Sequence, residues 1–227
     1  CQGNGAAPAL WLLISSFLLR YLKKNVCSIN IPSAISGASL SYVALVYVDD
    51  GDFPTIAKKP SESIERVTRR HQRTVKYWSK ALHTSGGALT PSKCFWYPIQ
   101  WKWRQGKAYI TEASETKRNI SAPTPEGIMN NVEKLDSTTA KEVMGVWQTP
   151  TGCNKRQIEK MQDQLDAYYV LLDNAYIPRH TVWRSFWSVL WAQIKYSLPE
   201  ISLKASQCST LFRPLYKRLL PTIGISS

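Results

Sequence analysis

The stretch Ser41-Tyr42-Val43-Ala44-Leu45-Val46-Tyr47-Val48-Asp49-Asp50-Gly51 decides the fold. Its first eight residues are rich in β-branched and aromatic side chains, a pattern that predicts a strand buried on both faces. The Asp-Asp-Gly that follows is typical of a turn, and we expect residues 52–57 to return as a second strand. Pro54 limits that second strand to an edge or a bulge. With helices predicted on both sides of this hairpin, the sequence indicates an α+β fold.

The two adjacent carboxylates, Asp49 and Asp50, are the candidate catalytic residues. Side chains alternate along a strand, so both can reach one concave edge only if the chain turns there. Carboxylate oxygens are the ligands that Mg²⁺ prefers, and two such ions about 3.5–4 Å apart can assist phosphoryl transfer. An Asp-Asp-Gly sequence also forms an ordinary hairpin turn without any metal. The tripeptide alone therefore leaves both interpretations open.

Two helices are predicted around this hairpin. The apolar run from Ala6 to Leu19 predicts a helix buried on nearly every side, with Pro8 in its first turn. That run is too short to span a bilayer, so we expect no membrane contact. Residues 61–83 have apolar side chains at spacings of three and four and predict an amphipathic helix that ends at Gly86-Gly87.

The remainder of the chain reads as short strands followed by helices. Residues 88–103 are predicted to form strands, and Gln105-Gly106 predicts a hairpin turn that leads into a further strand over residues 107–111. Residues 112–131 are polar and read as a loop or linker, after which 132–135 and 142–147 are expected to pair. Helices are predicted over 155–172 and 181–196. Pro199, Pro214 and Pro221 are expected to separate short helical pieces beyond them.

Charge favours a polyanionic partner. The chain of 227 residues has 29 Lys and Arg against 16 Asp and Glu, a formal net charge of +13. Each cation that neutralises a phosphate releases condensed counterions, which favours nucleic-acid binding. A basic surface without a partner is the alternative. One basic cluster is the polar face of the helix over 61–83, namely Arg66, Arg69, Arg70, Arg73, Lys76 and Lys80.

A second cluster interleaves aromatic and basic residues in Trp101-Lys102-Trp103-Arg104, followed by Lys107. This pattern suits base stacking and phosphate contact. Tryptophans at alternating strand positions are also typical of a core, so the sequence leaves the two interpretations open.

The five cysteines indicate neither a disulfide framework nor a zinc site. They are far apart and include no Cys-x-x-Cys pair. This usage fits a reducing, intracellular compartment, either cytoplasm or nucleus.

Four motifs together resemble the reverse transcriptases. Tyr47-Val48-Asp49-Asp50 resembles the family's Tyr-x-Asp-Asp signature, the palm hairpin that binds catalytic metal. The segment Gln2–Ala9 is similar to the family's Gln-Gly…Pro segment beside the incoming nucleotide. Gly86-Gly87-Ala88-Leu89 followed by Lys93 resembles the next palm element, and Met144-Gly145-Val146 resembles the hairpin that grips the primer end. The motifs occur in family order over about residues 1–150.

The resemblance implies roles for individual residues. Asp49 would be the stronger ligand of Mg²⁺ or Mn²⁺ and Asp50 its weaker neighbour. Gln2, Gly3 and Tyr47 would lie near the nucleotide and template. Lys93 would face the triphosphate, although a surface lysine at a strand start is the alternative. The implied partners are a primer–template of RNA or DNA and a deoxynucleoside triphosphate.

The resemblance also implies a domain plan. Residues 1–111 would form a partial palm, 112–153 a linker with the primer-grip hairpin, and 154–227 a helical region similar in position to the polymerase thumb. The aromatic and apolar side chains expected to pack that helical region are Trp183, Phe186, Trp187, Leu190 and Trp191.

One departure from the family limits the expected activity. The family's other metal-binding Asp precedes the Gln-Gly segment, and we expect this chain to begin after it. The chain would then be a retroelement polymerase fragment with an incomplete metal site, inactive by itself. The alternative is a degenerate retroelement remnant that acts at most as a non-catalytic nucleic-acid-binding module.

Overall fold

A computed structural model describes residues 7–47, 50–174 and 176–225. The fold is α+β, about 49% helical and 18% strand. The chain forms two compact units, of which the first ends at Ser137 and the second begins at Thr138. Within the described residues every sheet has two strands, and all pairs but one are antiparallel. No helix in this part of the chain is long and apolar enough to cross a membrane.

In its described residues, the first unit contains two long helices and ten short strands. Its helices are α1 (Ala7–Asn25) and α2 (Ile64–Thr84). Its strands are β1 (Ile29–Pro32), β2 (Ser39–Tyr42), β3 (Leu45–Tyr47), β4 (Asp50–Asp52), β5 (Phe95–Trp96), β6 (Trp101–Arg104), β7 (Lys107–Ile110), β8 (Ser121–Pro123), β9 (Met129–Asn131) and β10 (Glu133–Lys134).

The main core of the first unit lies between α1 and α2. It contains six buried side chains: Leu18, Leu22, Val43, Ala44, Trp78 and Ala81. As predicted, α2 is amphipathic and ends at the two glycines. Gly86 has a φ of +84°, and the Gly87 N–H donates to the Leu82 carbonyl at 2.8 Å. A left-handed residue after the last turn is the common way to satisfy the final carbonyls of a helix.

The prediction that α1 is buried on nearly every side is wrong. Leu18 and Leu22 face the core, but Leu12 is 72% exposed and Phe17 59% exposed. The core that α1 shares with α2 and Val43-Ala44 covers only one side of the helix. The apolar residues on its other side remain at the surface.

The predicted strand over residues 41–48 is also corrected. The chain breaks at the buried pair Val43-Ala44, so that β2 pairs with β1 and β3 pairs with β4. Residues 29–32 therefore form a strand, β1. The run is not buried on both faces, because a two-stranded sheet packs only one face against the core: Leu45 is 60% exposed and Tyr47 58%. The return strand, predicted over residues 52–57, instead covers Asp50–Asp52, so Asp50 and Gly51 belong to a strand and not to the predicted turn.

The pairing predicted between residues 132–135 and 142–147 does not form. β10 instead pairs in parallel with β5, through Glu133 with Phe95 and Lys134 with Trp96. The Val132 side chain is buried beside Trp96, Ile120 and Ala122 in a second small core. The predicted hairpin at Gln105-Gly106 is confirmed, since β6 and β7 pair antiparallel across that turn.

The second unit is a β-hairpin followed by a helical bundle. Its elements are β11 (Lys141–Val143), β12 (Val146–Gln148), α3 (Lys155–Asn174), α4 (Arg179–Ser185), a π-helical turn over Phe186–Leu190, α5 (Trp191–Ser197) and α6 (Ala205–Thr222). Buried side chains of α3, α4, the π turn, α5 and α6 form one core, with Met161, Leu165 and Ile194 fully buried.

Two expectations for this bundle change. Pro214 and Pro221 lie inside α6 instead of separating helical pieces; Leu211, Leu215 and Leu219 on one face of α6 are buried in the core and hold the helix together across Pro214. Of the five side chains expected to pack the bundle, Phe186 and Leu190 are buried, whereas Trp183 and Trp187 are 43% and 47% exposed.

Candidate functional site

The candidate site is the β3–β4 hairpin. Tyr47 pairs with Asp50, Val46 with Gly51 and Leu45 with Asp52. Directly opposed residues of an antiparallel pair share a face, and alternate residues along a strand also share one. Tyr47, Asp50 and Asp52 therefore project from one face of the hairpin, and all three are exposed. Val46 and Gly51 occupy the other face.

The inner face attaches the hairpin to the core. Val46 packs on the α1–α2 cluster. A Cβ atom on Gly51 would lie 3.0 Å from the ring of Phe53, which in turn contacts Trp78 with ring centroids 4.9 Å apart. Glycine at position 51 thus leaves room for Phe53 to cover the core. This anchoring fixes which face of the hairpin presents the carboxylates to solvent.

The charge of Asp50 affects the ionisation of Asp52, its neighbour on β4. Burial raises the pKa of Asp52 above its ordinary value, and the negative charge of Asp50 raises it further. The side chain of Asp52 is nevertheless exposed. The negative charge of Asp50 is unfavourable for ionised Asp52, and a bound cation would compensate for this repulsion.

Several residues of the predicted site lie outside the described residues. These are Gln2, Gly3 and Asp49, together with Val48. Within the residues that are described, no group of three or more His, Cys, Asp or Glu side chains is placed to hold a metal ion. Asp50 is the one member of the predicted metal pair whose position is described.

Lys93 lies on a different segment of the first unit. It ends a short 3₁₀ turn, Pro91–Lys93, and its backbone N–H donates to the Thr90 carbonyl at 2.9 Å. Its side chain is exposed. Lys93 is therefore a surface lysine that precedes a short strand, and its side chain is accessible to an anionic ligand.

The Met144-Gly145-Val146 motif forms the turn between β11 and β12 in the second unit. Met144 and Gly145 have φ values of +50° and +79°, as in the two-residue turns that suit β-hairpins. Lys160 of α3 holds the turn by donating to the Gly145 carbonyl at 2.8 Å. The Trp147 N–H donates to Gln157 Oε1 at 2.9 Å. The motif is therefore a hairpin fixed on α3.

The basic face of α2 divides into a structural part and an exposed part. Arg70 contacts both carboxylate oxygens of Glu62 and the Ile56 carbonyl. The five other cations of this face, Arg66, Arg69, Arg73, Lys76 and Lys80, are exposed. Lys76 and Lys80 also border a groove of about 1020 Å³, which is lined by residues of α1, α2, the segment 85–89 and the segment 121–129.

Two site features were missed by sequence reasoning. The shared face of Asp50 and Asp52 follows from the strand alternation once β4 is known to begin at Asp50. The exposure of Trp101 and Trp103, 59% and 75%, has no signal in the sequence, because core and surface strands show the same alternation.

Comparison of the chain with protein-family models, curated proteins and solved structures finds no match.

Proposed function

We propose that this chain is part of an RNA-directed DNA polymerase domain in which the Tyr47–Asp50 hairpin carries catalytic carboxylates. The observation that supports the proposal best is the pairing of Tyr47 with Asp50 across the end of an antiparallel hairpin. Tyr47 ends β3 and Asp50 begins β4, which is consistent with the hairpin that the resemblance implies for the signature. An exposed outer face leaves the carboxylates accessible to a ligand.

The donor chemistry of the hairpin fits a hard divalent cation. Asp50 and Asp52 offer oxygen ligands on one face, and Asp49 adds a third carboxylate to the segment. Mg²⁺ prefers such ligands and keeps part of its shell for water and phosphate oxygens. When bound, the ion would neutralise the charge that develops on the reacting phosphate.

The proposed reaction is template-directed nucleotidyl transfer. The primer 3′-hydroxyl oxygen forms a bond to the α-phosphorus of a deoxynucleoside triphosphate, and the bond to the leaving pyrophosphate breaks. Catalysis of this type consists mostly of positioning and charge stabilisation. In the proposal Tyr47 lines the nucleotide and template side of the hairpin, Lys93 neutralises the triphosphate, and the Met144–Val146 turn contacts the primer end.

A direct test is manganese-induced broadening of amide NMR signals in the purified chain. Mn²⁺ at the hairpin would broaden the Asp50, Gly51 and Asp52 signals before those of the second unit. The double variant Asp49→Asn/Asp50→Asn should abolish this selective broadening. Asp163→Asn removes one exposed carboxylate from α3 and should leave it unchanged. Broadening that is equally strong in the double variant would contradict the proposal.

A non-catalytic nucleic-acid-binding module is the second candidate. It is favoured by the formal charge of +13 and by the exposed cations of α2. In that case a labelled primer–template duplex would bind with a strong salt dependence, and binding would neither require Mn²⁺ nor be lost in Asp49→Asn/Asp50→Asn. Metal-dependent binding that is lost in the double variant would favour the polymerase assignment instead.

A further inference from the structure

The β6–β7 hairpin presents two tryptophans on one face. Trp101 and Trp103 are alternate residues of β6, opposite Ile110 and Ala108 of β7. The strands are joined by Gln105 and Gly106, with φ values of +50° and +73°, so the connection is a tight two-residue turn. Alternate residues and their cross-strand partners share a face. The two indoles therefore lie side by side.

Both indoles are at the surface. Trp101 is 59% exposed and Trp103 is 75% exposed, which excludes the interpretation that they fill a core. Ala108, opposite Trp103, offers only a methyl group and cannot cover the larger ring. Single exposed apolar residues are ordinary, but two large aromatic rings on one face of one hairpin form a patch that indicates an interaction site.

The charges on the hairpin select the kind of partner. Neither strand contains an Asp or Glu. Lys102, on the opposite face from the indoles, is engaged by Glu115 with Nζ 2.6 Å from the carboxylate. Arg104 and Lys107 pair with each other at the turn end of the hairpin, on the same face as Lys102; both are exposed, and neither forms an ion pair within the described residues. A strand stacked on the indoles therefore reaches these two positive charges where it passes around the turn.

The spacing of the indoles favours an unpaired nucleic-acid strand. Alternate positions on a strand are about 6.6–6.8 Å apart, twice the rise per residue. Bases in a duplex stack about 3.4 Å apart, so successive bases would reach the two rings only in a strand that is unstacked and extended. Every base has an aromatic face, so stacking of this kind tolerates any sequence.

We propose that the β6–β7 hairpin binds single-stranded nucleic acid, with bases stacked on Trp101 and Trp103 and phosphates beside Arg104 and Lys107. The site is separate from the carboxylates of β4. It stands whether or not the chain belongs to a polymerase, because it depends on the exposed rings and the hairpin charges alone.

The test measures binding of fluorescein-labelled dT20 and rU20 to the full 227-residue chain by fluorescence anisotropy. Each Trp→Ala substitution, Trp101→Ala or Trp103→Ala, should weaken binding at least about fivefold, and Trp103→Phe should retain most of the affinity. Arg104→Gln/Lys107→Gln should reduce the magnitude of the slope of log affinity against log salt by roughly one to one and a half, at about 0.7 per phosphate contact.

Trp187→Ala is the matched control. Trp187 is 47% exposed but belongs to the second unit, so its removal should leave the affinity for dT20 unchanged. Circular dichroism melting of every variant identifies any loss of folding, and Trp103→Phe and the charge variant test the site without deleting an indole.

Unchanged oligonucleotide affinity in Trp101→Ala/Trp103→Ala overturns the proposal. The proposal is also overturned if the parent chain binds no oligonucleotide but self-associates or binds vesicles, and the double variant loses that activity. Failure of the manganese test at β4 affects only the polymerase assignment.

Discussion

Asp50 and Asp52 project from the same face of β4, and the charge of Asp50 adds to the effect of burial in raising the pKa of Asp52. Two carboxylates held this close are unfavourable when both are ionised. The fold tolerates the arrangement because Val46 and Phe53 fix the hairpin from its inner face. If no ligand is bound, removal of the negative charge of Asp50 or of Asp52 should therefore stabilise the hairpin.

Replacement of Asp52 by asparagine should therefore stabilise the first unit at neutral pH. A carboxyl whose pKa is raised on folding contributes stability below its unfolded pKa of about 3.8 and loses that contribution as pH rises through the folded value. Asp52→Asn removes the penalty. The gain in unfolding free energy at pH 7 should be only a few tenths of a kcal/mol, because solvent screens an exposed group. Urea unfolding at pH 7 and pH 3 measures it, and the gain should vanish at pH 3.

The opposite effect of pH is expected at His71. Burial lowers the pKa of His71 to about 4, and its Nδ1 lies 2.9 Å from Thr55 Oγ1. A base with a lowered pKa contributes stability above its unfolded value near 6.5 and loses it as pH falls through the folded value. Between pH 6.5 and 4 the first unit should lose about 1–3 kcal/mol of stability on this account.

Urea unfolding between pH 7 and pH 4 measures the contribution of His71. His71→Asn should flatten the stability profile in this range, whereas His180→Asn, on the exposed surface of α4, should retain the profile of the parent chain. An identical pH profile in His71→Asn would contradict the assignment.

The stability of the second unit should depend on Leu165. This side chain is fully buried in the core of the bundle, so Leu165→Ala removes apolar contacts and leaves a cavity. A loss of about 2–5 kcal/mol in unfolding free energy is expected. Leu171→Ala, on the same helix but at a residue that is 57% exposed, should change it by no more than about 0.5 kcal/mol. Guanidinium unfolding followed by circular dichroism compares the two.

The sequence predicts those parts of the fold whose signals are local. The amphipathic period of α2, its end at Gly86 and the turn at Gln105-Gly106 each depend on neighbouring residues. The partner of Glu133-Lys134 is Phe95-Trp96, almost forty positions earlier, and no local pattern specifies such a pairing. The break at Val43-Ala44 was missed because a continuous apolar run is compatible with one long strand or with two short ones joined by buried residues.

The candidate site was predictable only in part. Turn chemistry predicts a hairpin in this region, but not its register, because Asp50 and Gly51, expected in the turn, lie in β4. The exposure of Trp101 and Trp103 depends on what packs over β6. Pro214 inside α6 is a similar case, since burial of Leu211 and Leu215 outweighs a local preference for ending the helix. In both cases the local sequence is compatible with either outcome, an exposed or a buried tryptophan and a continued or an ended helix, and tertiary packing determines which one forms.

The polymerase assignment predicts that the 227-residue chain extends no primer by itself with Mg²⁺ or Mn²⁺. Within the described residues the hairpin supplies Asp50 and Asp52, and no third carboxylate, cysteine or histidine completes a metal-binding group. Two-metal phosphoryl transfer needs ligands that hold both ions about 3.5–4 Å apart. A labelled primer on an RNA or a DNA template, incubated with the four deoxynucleoside triphosphates, provides the assay. Robust extension that Asp49→Asn abolishes would show that this chain already contains a complete site, and the expectation of an incomplete one would then be wrong.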